Sequence, residues 1–481
     1  MRRLGMVMRQ ELKLLAVERS FWLISFLFLL LIAYALYNGM HQATARSLAQ
    51  QAIAQDDAAR RAGQLAKLER VMAGAEVPGP FDNPANPVHM GGGYGAQHAI
   101  LPPAPLAAVA LGQDDLFPSQ FKVTYQSKVN FIHNNDIENP WHLLSGHFDL
   151  SFVVVFLLPF LIFALGYNLL SAERESGTLR LLVSQPLALR TLVWGKVGVR
   201  ALVLLGMAVL VPVGTLLWAQ PEVMSNSPAA LWWALVVGAY ALFWFALVVA
   251  VNAFGKSSAT NAMVLVITWV LLVLVLPSLL NLAVTEAVPA PSRAELATRT
   301  RVVTAAAMAR NSHLLSAEYE HVGKPEVLLP QSGHIQLAGR ALANFNIQRE
   351  VDAAIQPELR HFDQQQERRQ TLVARYSVFS PAAVAAEAMS ALAGSGQRRH
   401  VAFMRQMSSY HAAWRDFFFS RIEAQRALSA DDFAAMPSFT WQEEAPAVVR
   451  WDAYWAVLQL LVPAALLLAL AAWRLRRYAV V

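Results

Sequence analysis

The sequence predicts a mainly α membrane protein, a bundle of six transmembrane helices interrupted by two large, mostly helical extracytoplasmic insertions. Three observations carry this reading. The chain has 481 residues, 56% hydrophobic and only 15% charged, with a mean hydropathy of +0.37, which is too apolar for an ordinary soluble protein. Crossing a hydrocarbon core of about 30 Å takes about 20 apolar residues of helix, and such runs lie at 21–38, 150–170, 201–219, 231–254, 262–282 and 451–473. The basic residues beside those runs fall on alternate sides.

Each run lacks internal Asp, Glu, Lys and Arg, apart from Asp452 in the first turn of the last. Orientation follows from the Lys/Arg bias of the flanks. Arg2, Arg3, Arg9, Lys13 and Arg19 precede the first span; Arg174, Arg180, Arg190, Lys196 and Arg200 join the second to the third; Lys256 follows the fourth, and Arg474, Arg476 and Arg477 follow the sixth. All fall on one side if the spans alternate, which predicts both termini in the cytoplasm of a bacterial inner membrane. The organisation then reads as a cytoplasmic interfacial helix at 1–20, a first extracytoplasmic domain at 39–149 and a cytoplasmic connection at 171–200. A short outer loop at 220–230, a cytoplasmic loop at 255–261, a second extracytoplasmic domain at 283–450 and a cytoplasmic tail at 474–481 complete it.

Tryptophan favours the membrane–water interface, and Trp22, Trp218, Trp232, Trp233, Trp451, Trp455 and Trp473 sit near span ends, whereas Trp244 and Trp269 read as lipid-facing bulk. Ala43-Thr44-Ala45 has the look of a signal-peptidase site, but the apolar run before it is longer than a usual signal core, so the first span is expected to stay. In residues 1–20, Leu4, Met8, Leu12 and Leu15 share one helical face while Arg2, Arg9, Glu11 and Lys13 lie largely elsewhere, the pattern of a helix lying along the interface.

The net charge of +6 is spread beside apolar runs instead of gathered in a patch, so it serves topology and gives no reason to expect nucleic acid. Cysteine is absent, which excludes disulfides and thiolate chemistry. All twelve histidines lie in the expected outer loops, with His133, His142 and His147 near Asp136 and Asp149. A metal site needs several such ligands to converge, and loop location alone accounts for the partition. Gly255-Lys256-Ser257 mimics the tail of a phosphate-binding loop, but position 250 is Ala where that loop needs Gly and the tripeptide joins two apolar spans. Glu318, Glu320 and His321, and the pair Asp431 and Asp432, read as solvated helical faces. The expectation is a non-catalytic chain with no metal and no cofactor of its own.

The informative segment joins the second and third spans: Ser171-Ala172-Glu173-Arg174-Glu175-Ser176-Gly177-Thr178-Leu179-Arg180-Leu181-Leu182-Val183-Ser184-Gln185-Pro186, continuing to Gly195-Lys196. It begins as a charged extension of the span, breaks at Gly177, and resumes as a short amphipathic piece ending near Pro186. It resembles the cytoplasmic connection of ABC-2 type permeases, whose pattern is a Glu-Arg-Glu-Arg-Gly-Thr-Leu-Glu run, then Leu-Leu, Ser, Pro and a downstream Gly-Lys. Ser176 stands where a basic residue is usual and Arg180 where Glu is usual. The six-span order is similar too. Asn83-Pro84 and Pro102-Pro103-Ala104-Pro105-Leu106 resemble a subgroup with large extracytoplasmic inserts of unassigned function.

The resemblance implies that this connection docks on a separate cytoplasmic ATPase, present in two copies and carrying ATP and Mg, beside a second permease chain, identical or related. It implies coupling residues at Glu173, Arg174, Glu175, Gly177, Thr178, Leu179, Leu182 and Pro186. On that reading Glu173, Arg174 and Glu175 make the polar contacts and Leu179 and Leu182 fill the ATPase groove. Membrane lipid is a partner by composition, and a periplasmic or envelope protein is a further candidate. Two functions are expected to compete: transport of an unidentified substrate, by export or extraction, and mechanical signalling across the membrane without cargo. A substrate-sized cavity continuous with a dimer interface favours the first; long helices continuing spans one and five outward favour the second.

In the first insertion, residues 42–73 suit a helix rising from span one, 78–105 are too rich in Pro and Gly for regular helix, and 121–132 suggest a strand or hairpin. The second is expected to hold helices at 292–322, 335–375, 381–392 and 400–428, broken at Gly394-Ser395-Gly396, and to bury a core of its own.

Overall fold

The computed structural model describes residues 2–112, 118–128, 148–185, 188–219, 228–289, 292–316 and 324–478. The sequence-level candidates His133, Asp136, His142, His147, Pro186, Glu318, Glu320 and His321 lie outside the described residues.

Among the described residues six helices are long and apolar enough to cross a membrane: Arg19–Met72, Leu150–Glu175, Leu189–Ala219, Ala229–Asn252, Ser258–Ala287 and Pro446–Arg476. They are called spans one to six. The connections between spans two and three and between spans four and five lie at one end of the bundle together with the amino-terminal helix Arg2–Val17. This is the elbow end, and both insertions leave from the far end.

Span four is the most enclosed, packed chiefly against span six and flanked by spans two and three. Trp233 and Trp244 are buried within it, and Trp269 of span five is nearly so. Trp244 meets Phe163 edge-to-face at 5.5 Å between ring centroids. The expectation that Trp244 and Trp269 face lipid, and that Trp233 marks an interface, is therefore corrected. Trp22, Trp218, Trp451, Trp455 and Trp473 are exposed at span ends.

Three spans carry a π-helical segment, Val153–Leu157, Gly206–Leu210 and Val270–Val275, each just ahead of a proline: Pro159, Pro212 and Pro277. Proline has no N–H, and its ring collides with the carbonyl four residues back, so a widened turn relieves the clash but leaves acceptors unpaired. Side chains supply the missing donors. Tyr240 Oη donates to Val155 O at 2.7 Å, and Ser380 Oγ donates to Leu272 O at 2.9 Å.

Span one does not stop at the membrane. It runs unbroken for 54 residues, about 80 Å at 1.5 Å per residue, and passes straight through Ala43-Thr44-Ala45. Along its far half, Gln50 donates to Leu101 O at 2.9 Å, Asp57 accepts from the His98 backbone N–H at 2.8 Å, and Gln64 donates to Tyr94 O at 2.6 Å. The helix is the spine on which the first insertion is mounted. Strand β1 (Gln97–Ile100) pairs antiparallel with β2 (Gln120–Val123), His98 opposite Lys122. A five-residue helix, Pro87–Gly91, opens within the stretch read as non-helical, capped by Asn86.

The second insertion is helical at Arg293–Arg310, Ser312–Leu315, Gly339–Ser377, Pro381–Ala393, Gln397–Glu423 and Ala430–Ala435. The second insertion buries a small core of its own, Leu296, Ala307, Ile347, Val351, Ile355 and Leu359, and it shares a larger one with the first insertion. Leu68, Val88, Met90, Phe121 and Val123 pack with Phe345, Phe403, Trp414, Phe418 and Phe433. Trp414 Nε1 donates to Gly91 O at 3.1 Å, and Asn83 Nδ2 donates to Leu328 O at 2.7 Å. Both insertions also reach into the bundle. Leu106, Ala108, Val109, Ala110 and most of the helix Pro381–Ala393 belong to its core, the helix lying against spans four and six. At 13 residues it is too short to span but long enough to enter.

Candidate functional site

The elbow is built from short pieces held by polar contacts. Span two ends in the helix Ser171–Glu175, Gly177 takes φ +75°, and a second helix, Thr178–Ser184, folds away from the first. Glycine adopts that left-handed backbone without the Cβ collision other residues meet. Around it Thr178 Oγ1 donates to Glu173 O at 3.2 Å and lies 2.9 Å from Ser176 Oγ.

Each charge ahead of the glycine reaches a different element. Glu173 pairs with Lys196 at the start of span three, and Lys196 also donates to Leu169 O at 3.4 Å. Arg174 donates to the Gly255 carbonyl in the connection between spans four and five. Glu175 accepts from Ser258 N at 2.7 Å and from Ser258 Oγ at 2.9 Å, which puts a carboxylate on the first free N–H groups of span five, where the helix dipole also favours it. Ser257 caps the same helix through Thr260 N at 3.2 Å. The Gly255-Lys256-Ser257 tripeptide is thus a turn and a helix cap.

Beneath the elbow Asn252 and Asn261 are buried. Asn252 Nδ2 donates to Gly166 O at 3.0 Å, and Asn261 Nδ2 lies 3.2 Å from Tyr167 O and 3.3 Å from Asn252 Oδ1. Buried amides cost free energy unless paired, so this pair fixes how spans two, four and five meet. Sequence reasoning missed it; its one signal was a pair of asparagines in otherwise apolar surroundings.

The amino-terminal helix is part of the same assembly. Glu11, 4% exposed, accepts from Arg200 Nε at 2.9 Å and Nη2 at 2.6 Å, and Arg200 also donates to Leu165 O. Gly195 has no room for a Cβ beside Val7. The helix therefore lies on span three through Val7, Met8, Glu11 and Leu15, while Leu4 and Leu12 stay exposed. The expected division, apolar face in and Glu11 elsewhere, is corrected at Glu11, because Arg200 comes from a segment far away in sequence.

The elbow brings together seven of the eight residues named from the motif; Pro186 is outside the described residues. Leu179 is 1% exposed in the bundle core and Leu182 is partly buried against it, so Leu179 offers no surface to a partner here. The charges of Glu173, Arg174 and Glu175 are engaged within the chain. The elbow presents outward Glu175, Ser176, Gly177, Thr178, Arg180, Leu181, Ser184 and Gln185, with Leu181 69% exposed.

Residues 116–282, spans two to five with the elbow, match the family described as ABC-2 family transporter protein. Over that region the chain is similar to ABC-2 type permeases. Residues 293–442 match a domain of unknown function, DUF3526, which covers most of the permease's second insertion. No curated protein and no solved structure matches the permease. It is a multi-pass membrane protein and the membrane component of an ABC transporter.

Other sequence-level candidates have structural surroundings. Asp432 forms a capping box with Ser429 and accepts from Arg421 Nη2 at 2.6 Å. Burial alone would raise its pKa, but the bonds from Arg421 and Ser429 hold the carboxyl below the usual range. Among the described residues no three His, Asp or Glu side chains gather as metal ligands.

Proposed function

We propose that this permease moves an unidentified substrate, by export or extraction, with energy from ATP and Mg handled by a separate cytoplasmic ATPase in two copies, alongside a second permease chain. The elbow then faces the cytoplasm of a bacterial inner membrane, with both termini on that side and the joined insertions on the other. One observation carries the reading. Glu173, Arg174 and Glu175 tie a single protruding element to span three, to the turn after span four and to the start of span five. A push on that element is transmitted to several spans at once, which is what a motor acting from outside the chain needs. In this role Gly177, Thr178, Leu179 and Leu182 keep the element rigid, and Pro186 is a further coupling residue by the resemblance alone.

Mechanical signalling is the second reading, favoured by the 54-residue helix that joins span one to the far module. Span five gives it less support, since its helix ends at Ala287 and the next begins at Arg293.

The test is purification of the intact complex from its native membrane. An ABC ATPase should accompany the wild-type permease. Glu173→Lys should lower its recovery or its coupled ATP turnover, and adding Lys196→Glu should restore part of the loss by swapping the pair. Recovery of the permease without any ATPase would overturn both readings, while an unaltered Glu173→Lys complex would remove the elbow from the mechanism.

A further inference from the structure

The long helix Gly339–Ser377 descends along span five, and two contacts fix its register. Arg369 Nη2 donates to Thr285 Oγ1 at 3.4 Å, and, just past the helix end, Ser380 Oγ donates to Leu272 O at 2.9 Å. Eleven residues separate these contacts on one side and thirteen on the other, as expected for antiparallel neighbours of similar rise. Span five begins at Ser258, just after Lys256, and Leu272 is fourteen residues further on, about 21 Å along the axis. A hydrocarbon layer is about 30 Å thick. The turn before Ser380 therefore lies inside the far leaflet by roughly 9 Å, and any tilt of span five deepens it.

The side chains suit that depth. Tyr376, Val378 and Phe379 are exposed, Phe379 by 62%, and they adjoin a span whose outward Leu271, Leu274 and Leu279 are exposed as well. Higher up, Arg368 and Arg375 are exposed and have no acidic partner among the described residues. By the register above, Arg375 stands at about the height of Ser278, roughly 30 Å along span five, where an apolar stem and a cationic head suit the headgroup boundary.

We infer that residues 368–380 form a wedge inserted in the far leaflet, with the turn among acyl chains and Arg368 and Arg375 on phospholipid phosphates. The continuity of this apolar surface with the lipid-facing side of span five, and the basic collar above it, select lipid as the occupant. The inference needs only that the spans cross a bilayer and is independent of the ATPase. It moves a stretch that reads in sequence as part of a water-exposed domain into the membrane.

Because the chain has no cysteine, Phe379→Cys carries a single nitroxide label without further changes. The full-length permease is placed in nanodiscs of mixed phosphatidylcholine and phosphatidylglycerol, and collision with oxygen is compared with collision with a water-soluble nickel chelate. Val77→Cys, on the exposed far tip of the molecule, serves as the aqueous reference. The label at position 379 should meet oxygen several-fold more often than nickel, and Val378→Cys should behave alike. Adding Arg368→Gln and Arg375→Gln should reduce that preference. Nickel access equal to that at position 77 would put the turn in water and overturn the inference. Exclusion of both probes would mean that protein covers it, and would overturn it too. An unchanged preference in the arginine variants would overturn the phosphate contact.

Discussion

The two ends of this permease are held together by different physics. At the elbow, short helices are joined by ion pairs, caps and a buried asparagine pair, each specific in direction. At the far end the joined insertions rest on aromatic packing, with Phe403, Trp414 and Phe418 fully buried. A polar joint can change geometry without exposing much apolar surface, whereas an aromatic core keeps its shape or comes apart. The contrast suits a moving part at one end and a rigid body at the other, with the helix of span one between them.

The largest effect should come from breaking the rigid body. Trp414→Ala removes a fully buried indole and its bond to Gly91 O and should cost about 3–5 kcal/mol. Limited proteolysis should then cut both insertions together while the elbow stays protected. If only the second insertion is cut, the shared core is wrong.

Next is Gly195→Val at the elbow. With Val7 against Gly195, the larger side chain should push the amino-terminal helix off span three at about 1–3 kcal/mol. A fluorescence-quenching pair between that helix and span three should separate, with the far module's melting unchanged. Equal loss at both ends would dissolve the contrast between them.

How much of this was legible differs by region for physical reasons. The spans were readable because about 20 apolar residues in a row have few other uses. The burial of Trp244 and Trp269 was not, because lipid and protein interior are equally apolar and leave no periodic trace. The motif of the elbow was readable from Glu173 to Lys196, but the partners that make it a joint, Gly255, Ser258 and Asn261, come from the next connection and the next span. The union of the insertions was hidden for the same reason: Phe121 and Phe403 are neighbours only after folding. Pro381–Ala393 carried a hint in its 13 apolar-rich residues, too few to cross and unusual for a solvated helix.

A smaller effect is expected from pH. Burial pushes the His400 pKa down to about 4, with nearby Arg46 adding to the shift. The folded value lies below the unfolded one of about 6.5, so the fold favours the neutral ring. Its contribution is complete above about pH 6.5 and is lost as pH falls from there toward about 4. Melting of the far module should therefore weaken across that window, and His400→Gln should flatten the slope. Asp82, held below its ordinary pKa first by the hydrogen bond from Lys67, should weaken the module only at lower pH, as the carboxylate takes up its proton.

The smallest change separates backbone from side chain at the elbow. Nothing lies within 4 Å of a Cβ built on Gly177, so a substitution there meets no neighbour and feels only the φ of +75°. Gly177→Ala should cost about 1 kcal/mol from the left-handed backbone alone, and Gly177→Asn less, because asparagine tolerates that region better. If the joint works as a rigid element, ATPase stimulation by the assembled complex should fall in the same order, wild type above Asn above Ala, with the far module's melting constant. Equal activity in all three would mean that the turn at Gly177 can relax without consequence, and the elbow would then have to transmit force through Glu173, Arg174 and Glu175 alone.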